Sequence, residues 1–167
     1  MVKRILLLLA LLASPLLAVA TPDIPLQDLQ GKSHNANEYI GRGKLVVVVV
    51  WAHDCGVCAR EIHEMTSFHR AHASRDAVVL GISLDGKAKV EAARKFVRDH
   101  KLPFPNLLIE PSQEVMQRFG AGEFVGTPTY YVYDPQGELV AQQVGPLSRK
   151  EVEAFMDELR REAAKPL

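Results

Sequence analysis

The chain has 167 residues, with 20 basic and 20 acidic side chains, two cysteines and 47% hydrophobic residues. That length fits one compact domain. A net charge of zero excludes nucleic-acid binding driven by bulk charge, and two cysteines exclude a multi-disulfide scaffold or a four-cysteine zinc site. In chain order, Lys3 and Arg4 precede an apolar run from Ile5 to Ala13, Ser14-Pro15 breaks it, and Ala18-Val19-Ala20 closes it. A positive start, an apolar run and a small-x-small end predict a secretory signal peptide over residues 1–20, cleaved after Ala20. The run falls short of the roughly 20 apolar residues of a spanning helix, so membrane attachment is expected only if the segment is retained. Residues 21–167 then form the mature domain, periplasmic or secreted, and its cysteines meet an oxidising compartment.

Thr21–Lys44 reads as a mostly polar lead-in anchored by Leu26 and Leu29, with turn signals at Gly31, Gly41 and Gly43. Leu45–Trp51 contains five consecutive valines. β-Branched residues without alternation predict a strand buried on both faces. Ile62, Met65, Phe68 and His72 then recur at helical spacing, Val78–Leu84 is a second buried strand, and Lys87–His100 is a helix with Val90, Ala93 and Val97 on one face. A short strand at Asn106–Ile109 and a brief helix at Pro111–Phe119 follow. Thr129–Tyr133 and Glu138–Val144 flank the turn former Asp134-Pro135-Gln136-Gly137 and are expected to pair as a hairpin. Ser148 and Glu151 form a capping box that opens a last helix through Val152, Phe155, Met156 and Leu159. The order predicts an α/β fold with a central mixed β-sheet flanked by helices on both faces.

Chemistry concentrates in Cys55-Gly56-Val57-Cys58, where the valine-rich strand gives way to a helix. At a helix start the unpaired N–H groups and the dipole favour a thiolate at Cys55, and Cys58, one turn in and sheltered, can resolve a mixed disulfide formed by it. Haem attachment needs a histidine after the second cysteine, where Ala59 stands, and a zinc knuckle needs a second ligand pair. His69 and His72 lie one turn apart, a spacing that can bind metal but more commonly belongs to solvated or packed residues. His53, two residues before Cys55, is the histidine near enough in sequence to tune the thiol. Pattern alone reads Pro128, at the entry to a strand, as an ordinary trans proline.

Trp51-Ala52-x-x-Cys55-x-x-Cys58 at the end of a valine-rich strand, with Gly126-Thr127-Pro128-Thr129 downstream, resembles the thioredoxin superfamily, and within it the exported TlpA/ResA-type proteins. The resemblance covers nearly all of residues 21–167 and implies a thioredoxin-like fold. It implies a cis peptide at Pro128 facing the dithiol, a Thr127 backbone offered to a bound substrate strand, and a substrate contact at Trp51. Glu61, three residues after Cys58, matches an acid of that branch and is expected to take the proton of Cys58 during resolution. Two departures stand out. Val49 replaces the buried aspartate of thioredoxin itself, and Asp54 replaces the aromatic residue common before the first cysteine. A carboxylate beside Cys55 opposes thiolate formation, which predicts a less acidic Cys55 than in Asp54→Trp.

The expected function is therefore a thiol–disulfide oxidoreductase that reduces disulfides in exported proteins, in the manner of cytochrome c maturation, with Cys55, Cys58 and Glu61 as catalytic residues. The resemblance implies a membrane-bound thiol reductase as electron donor. The expected protein is a monomer with no cofactor and no metal. An alternative is a copper(I) carrier using the same cysteines, since soft thiolates favour that ion. Against it stand the narrow cysteine spacing and the lack of a well-placed distal histidine. A static structural disulfide fits poorly, because so small a loop constrains the unfolded chain little.

Overall fold

The structure is a computed structural model, and it describes residues 21–120 and 122–165. The expected signal peptide at residues 1–20 lies outside the described residues. Seven strands are β1 (Pro25–Asp28), β2 (Ser33–Asn35), β3 (Leu45–Trp51), β4 (Ala77–Ser83), β5 (Asn106–Leu108), β6 (Thr129–Tyr133) and β7 (Leu139–Val144). They form one sheet in the order β2-β1-β5-β4-β3-β6-β7. The helices are α1 (Gly56–His72), α2 (Val90–Asp99), α3 (Gln113–Met116) and α4 (Arg149–Ala163). Among the described residues no helix is long and apolar enough to cross a membrane.

The valine run occupies the middle of the sheet. β3 pairs parallel with β4 on one side and antiparallel with β6 on the other. Its side chains alternate between two cores. Leu45, Val47, Val49 and Trp51 pack with residues of α1, α2 and α4, whereas Val46, Val48 and Val50 pack with Met116 of α3, Phe119 and the segment around Ala36 and Ile40. Period-two alternation with an apolar layer on each face explains why no polar residue interrupts the strand. Each fully buried valine contributes roughly 1.5 kcal/mol or more. The central mixed sheet with helices on both faces is thus the architecture expected.

Several boundaries differ. Residues 21–44, expected as a polar lead-in, extend the sheet instead: β1 pairs antiparallel with both β2 and β5, and Ile24 and Leu26 enter the core. The helix expected over Lys87–His100 begins as a 3-10 turn at Lys87–Lys89 before α2, because Gly86 offers no side-chain cap. The β6–β7 hairpin forms as expected, its turn held by Asp134 Oδ1, which accepts from the N–H groups of Gln136, Gly137 and Glu138 at 2.8–2.9 Å. The Ser148–Glu151 capping box opens α4.

Candidate active site

β3 ends at Trp51 and the chain turns at once into α1. The Cys55 N–H donates to the Ala52 carbonyl at 3.1 Å, closing a tight turn with His53 and Asp54 inside it. Cys55 is the N-cap of α1, and its Sγ accepts a hydrogen bond from the Cys58 N–H at 3.1 Å. No acidic residue occupies the first turn of α1, so the positive end of the helix dipole acts on that sulfur without a competing carboxylate from the helix's own first turn. Cys55 and Cys58 are joined as a disulfide. Cys58 is 2% exposed while Cys55 is only partly buried, an asymmetry that presents the first sulfur and shelters the second.

Sheet register delivers the second wall. Val50 on β3 lies opposite Thr129 on β6, so the residues before Thr129 arrive beside the chain that follows Trp51. The Thr127 carbonyl oxygen lies 3.6 Å from Cys55 Sγ, and the Thr127–Pro128 peptide is cis. The loop is pinned on both sides: the Thr129 hydroxyl donates to the Gly126 carbonyl at 2.6 Å, and the Gly145 N–H donates to the Pro128 carbonyl at 2.9 Å. Val125, just before it, is 69% exposed, an apolar side chain standing in solvent on the approach to the dithiol.

Glu61 is partly buried one helical turn beyond Cys58. It faces β6: burial, with the charges of Glu61 and Glu64 behind it, holds the Tyr130 phenol far above its ordinary value. Trp51 does not reach the substrate face. It is fully buried, stacked on Phe96 with ring centroids 4.4 Å apart, and its Nε1–H donates to Asn106 Oδ1 at 3.2 Å. Being the last residue of a central strand in phase with Val47 and Val49, its ring must enter the α1–α2 core rather than solvent.

The histidines divide. The His69 ring accepts from the Val79 N–H at 3.1 Å, and burial, then the Lys44 charge, lowers its affinity for a proton. His72 is buried between Asp76, at 2.8 Å, and Glu153, at 3.1 Å. Both are structural, and among the described residues no group of three or more His, Cys, Asp or Glu side chains is placed to hold a metal ion. His53 does have a partner, Asp85, which sequence reasoning missed. The trace was an aspartate two residues past the end of a buried strand, legible only once the β3–β4 register is known.

Residues 18–142 match the AhpC/TSA family. The thiol-disulfide oxidoreductase ResA of Geobacillus thermodenitrificans is 25% identical over 139 residues, covering 83% of this chain and 75% of that protein. Among solved structures, the thioredoxin domain of a thiol-disulfide oxidoreductase from Bacteroides vulgatus superposes with a TM-score of 0.68 at 22% identity, covering 85% of this chain and 96% of that one. A DsbF homologue from Corynebacterium diphtheriae gives 0.70 at 22% identity, covering 83% and 85%. At that identity the two structures establish the thioredoxin-like fold.

Proposed function

The chain belongs to the AhpC/TSA family, whose fold is thioredoxin-like, and from that premise we propose that it is an exported thiol–disulfide oxidoreductase that reduces disulfides in other exported proteins. One observation carries the reading: a disulfide whose outer sulfur caps a helix, accepts an N–H at 3.1 Å and faces the Thr127 carbonyl, while its inner sulfur is buried. The likeness to ResA supports the activity, and the Lys3–Ala20 pattern supports export.

In the reduced protein the Cys55 thiolate, favoured by the Cys58 N–H and the helix dipole, attacks one sulfur of a substrate disulfide. A bond forms between that sulfur and Cys55 Sγ, and the other substrate sulfur leaves as a thiolate and takes up a proton. Cys58 loses its proton to Glu61 and attacks Cys55 Sγ. The Cys55–Cys58 disulfide closes, and the second substrate sulfur leaves as a thiolate and takes the proton from Glu61. Two electrons and two protons have passed to the substrate. A membrane-bound thiol reductase of the same compartment restores the dithiol, and apocytochrome c is one substrate of the required kind, a protein with paired cysteines exported unfolded.

The test is Cys58→Ser expressed in the native compartment, where Cys55 should accumulate mixed disulfides with exported proteins that Cys55→Ser does not form. Trapping by Cys55→Ser and not by Cys58→Ser overturns the order of attack. Tight copper(I) binding by a reduced protein that does not reduce insulin disulfides overturns the enzyme reading altogether.

A further inference from the structure

A second polar constellation lies against the turn that carries Cys55, and disulfide exchange as described makes no use of it. Trp51 and Ser83 are the last paired residues of the parallel strands β3 and β4. Each chain runs two residues further, and the same register brings His53 against Asp85. The Asp85 side chain is only 2% exposed and receives three donors. The His53 N–H reaches Oδ2 at 3.1 Å, the Ser83 hydroxyl reaches Oδ2 at 2.7 Å, and His53 Nδ1 meets Oδ1 at 2.5 Å. The Asp85 N–H donates back to Ser83 Oγ at 3.2 Å. A carboxylate only accepts, so this geometry keeps a proton on Nδ1, on a ring 28% exposed.

A buried carboxylate is costly unless it is paired and hydrogen-bonded, and two of Asp85's three donors come from His53. His53 is the first inner residue of the turn that the Cys55 N–H closes on Ala52. The same carboxylate therefore holds both the backbone that presents the sulfur and the His53 ring. An imidazole hydrogen-bonded to a buried carboxylate, here two residues before a cysteine nucleophile, is the arrangement by which a ring is oriented and its charge compensated. With the ring protonated the pair is neutral. With the ring removed, Asp85 leaves an uncompensated negative charge against the turn on which the thiolate must form.

We propose that Asp85 and His53 form a positioning pair for Cys55, the buried carboxylate holding the turn that presents the sulfur and the oriented imidazole setting the charge the sulfur meets. The proposal rests on the reading of Cys55 as the attacking sulfur. The other charged groups around the turn are Asp54 within it, Arg60 and Glu61 on α1, and Lys87 and Glu110 beyond β4. Among the described residues none of these is hydrogen-bonded to the His53 ring or to Asp85.

The test titrates the Cys55 thiolate by its ultraviolet absorbance in the reduced protein carrying Cys58→Ser, so that one sulfur is read, with melting temperature measured alongside. His53→Ala raises the midpoint and Asp85→Asn lowers it, each by about 0.5 to 1 pH unit. A brace without electrical effect lowers the melting temperature and moves the two midpoints together or not at all. His53→Asn keeps a donor near the Nδ1 position but cannot carry a charge. It restores the melting temperature lost in His53→Ala while keeping the raised midpoint. Midpoints within 0.2 pH unit of the parent in His53→Asn, or shifts of the same sign in the two single variants, overturn the proposal. The titration needs no turnover, so its outcome stands apart from the insulin assay. A wild-type protein inactive in that assay overturns the proposed function, and unmoved midpoints overturn the pair.

Discussion

Asp54 is exposed inside the turn that ends at Cys55, so its charge reaches the sulfur mostly through water. Water weakens the repulsion without reversing it. Asp54→Asn is expected to lower the Cys55 thiolate midpoint by ~0.3 pH unit, and Asp54→Trp by less, because water displaced from the sulfur disfavours its charged form. Unchanged titration curves in both variants would show that the carboxylate points clear of the thiol. At this scale the dithiol was fully legible, because spacing of two at a strand-to-helix junction fixes what two sulfurs can do. Glu61 needed the family resemblance to stand out from any other helix glutamate. Asp85 was not legible, since its meeting with His53 depends on a parallel register that no local pattern reports, and Trp51 was misplaced because its side of the strand depends on the phase of the whole run.

Between elements, β4 approaches its neighbours through a residue with no side chain. An alanine Cβ at Gly81 would lie 2.1 Å from Asn106 Oδ1 and 3.1 Å from Trp51 Nε1. The Trp51–Asn106 hydrogen bond therefore exists only because position 81 is empty, and Asn106 is further tied by its Nδ2–H to the Phe104 carbonyl at 2.8 Å. Gly81→Ala is expected to cost about 1–3 kcal/mol through overpacking and to loosen the ring of Trp51. Urea denaturation followed by the fluorescence of this single tryptophan reads both effects, and a midpoint equal to wild type would mean that Asn106 moves freely. The long elements β3, α1, β6 and α4 announce themselves because each carries a complete period of apolar residues or a cap. β1 and β2 do not. Their three or four residues are largely polar, and only pairing at the β5 edge makes them strands.

Across the whole molecule, α4 is fastened to α1 far from the sulfurs by a charged cluster. His72 lies between Asp76 and Glu153, Arg149 donates to Glu153 at 2.6 Å, and Arg160 donates to Asp76 at 2.6 Å. The Arg149 hydrogen bond, then that of His72, holds Glu153 below the ordinary carboxylate range. Burial alone would raise Asp76, but the His72 hydrogen bond and the charges of His72, Arg75 and Arg160 bring it below its ordinary value. A carboxylate depressed in the folded state gives stability that is present above its unfolded value and lost as pH falls through its folded one. Stability is therefore expected to fall below about pH 4, with the amides of α4 exchanging before those of β3. Glu153→Gln should cost roughly 1 kcal/mol or less at neutral pH and flatten that acid limb. An acid limb identical to wild type would place the loss elsewhere.

The strand that carries the dithiol has one more consequence, for the chain before it is folded. Seven consecutive apolar residues from Leu45 to Trp51, rich in β-branched side chains and free of charge and proline, have the composition of a self-associating cross-β segment. Lys44 on one side and Asp54 on the other are the nearest charges to guard it. Once β4 and β6 cover both its edges the hazard disappears. Until then, the stretch that makes the redox site possible is also the stretch most ready to aggregate.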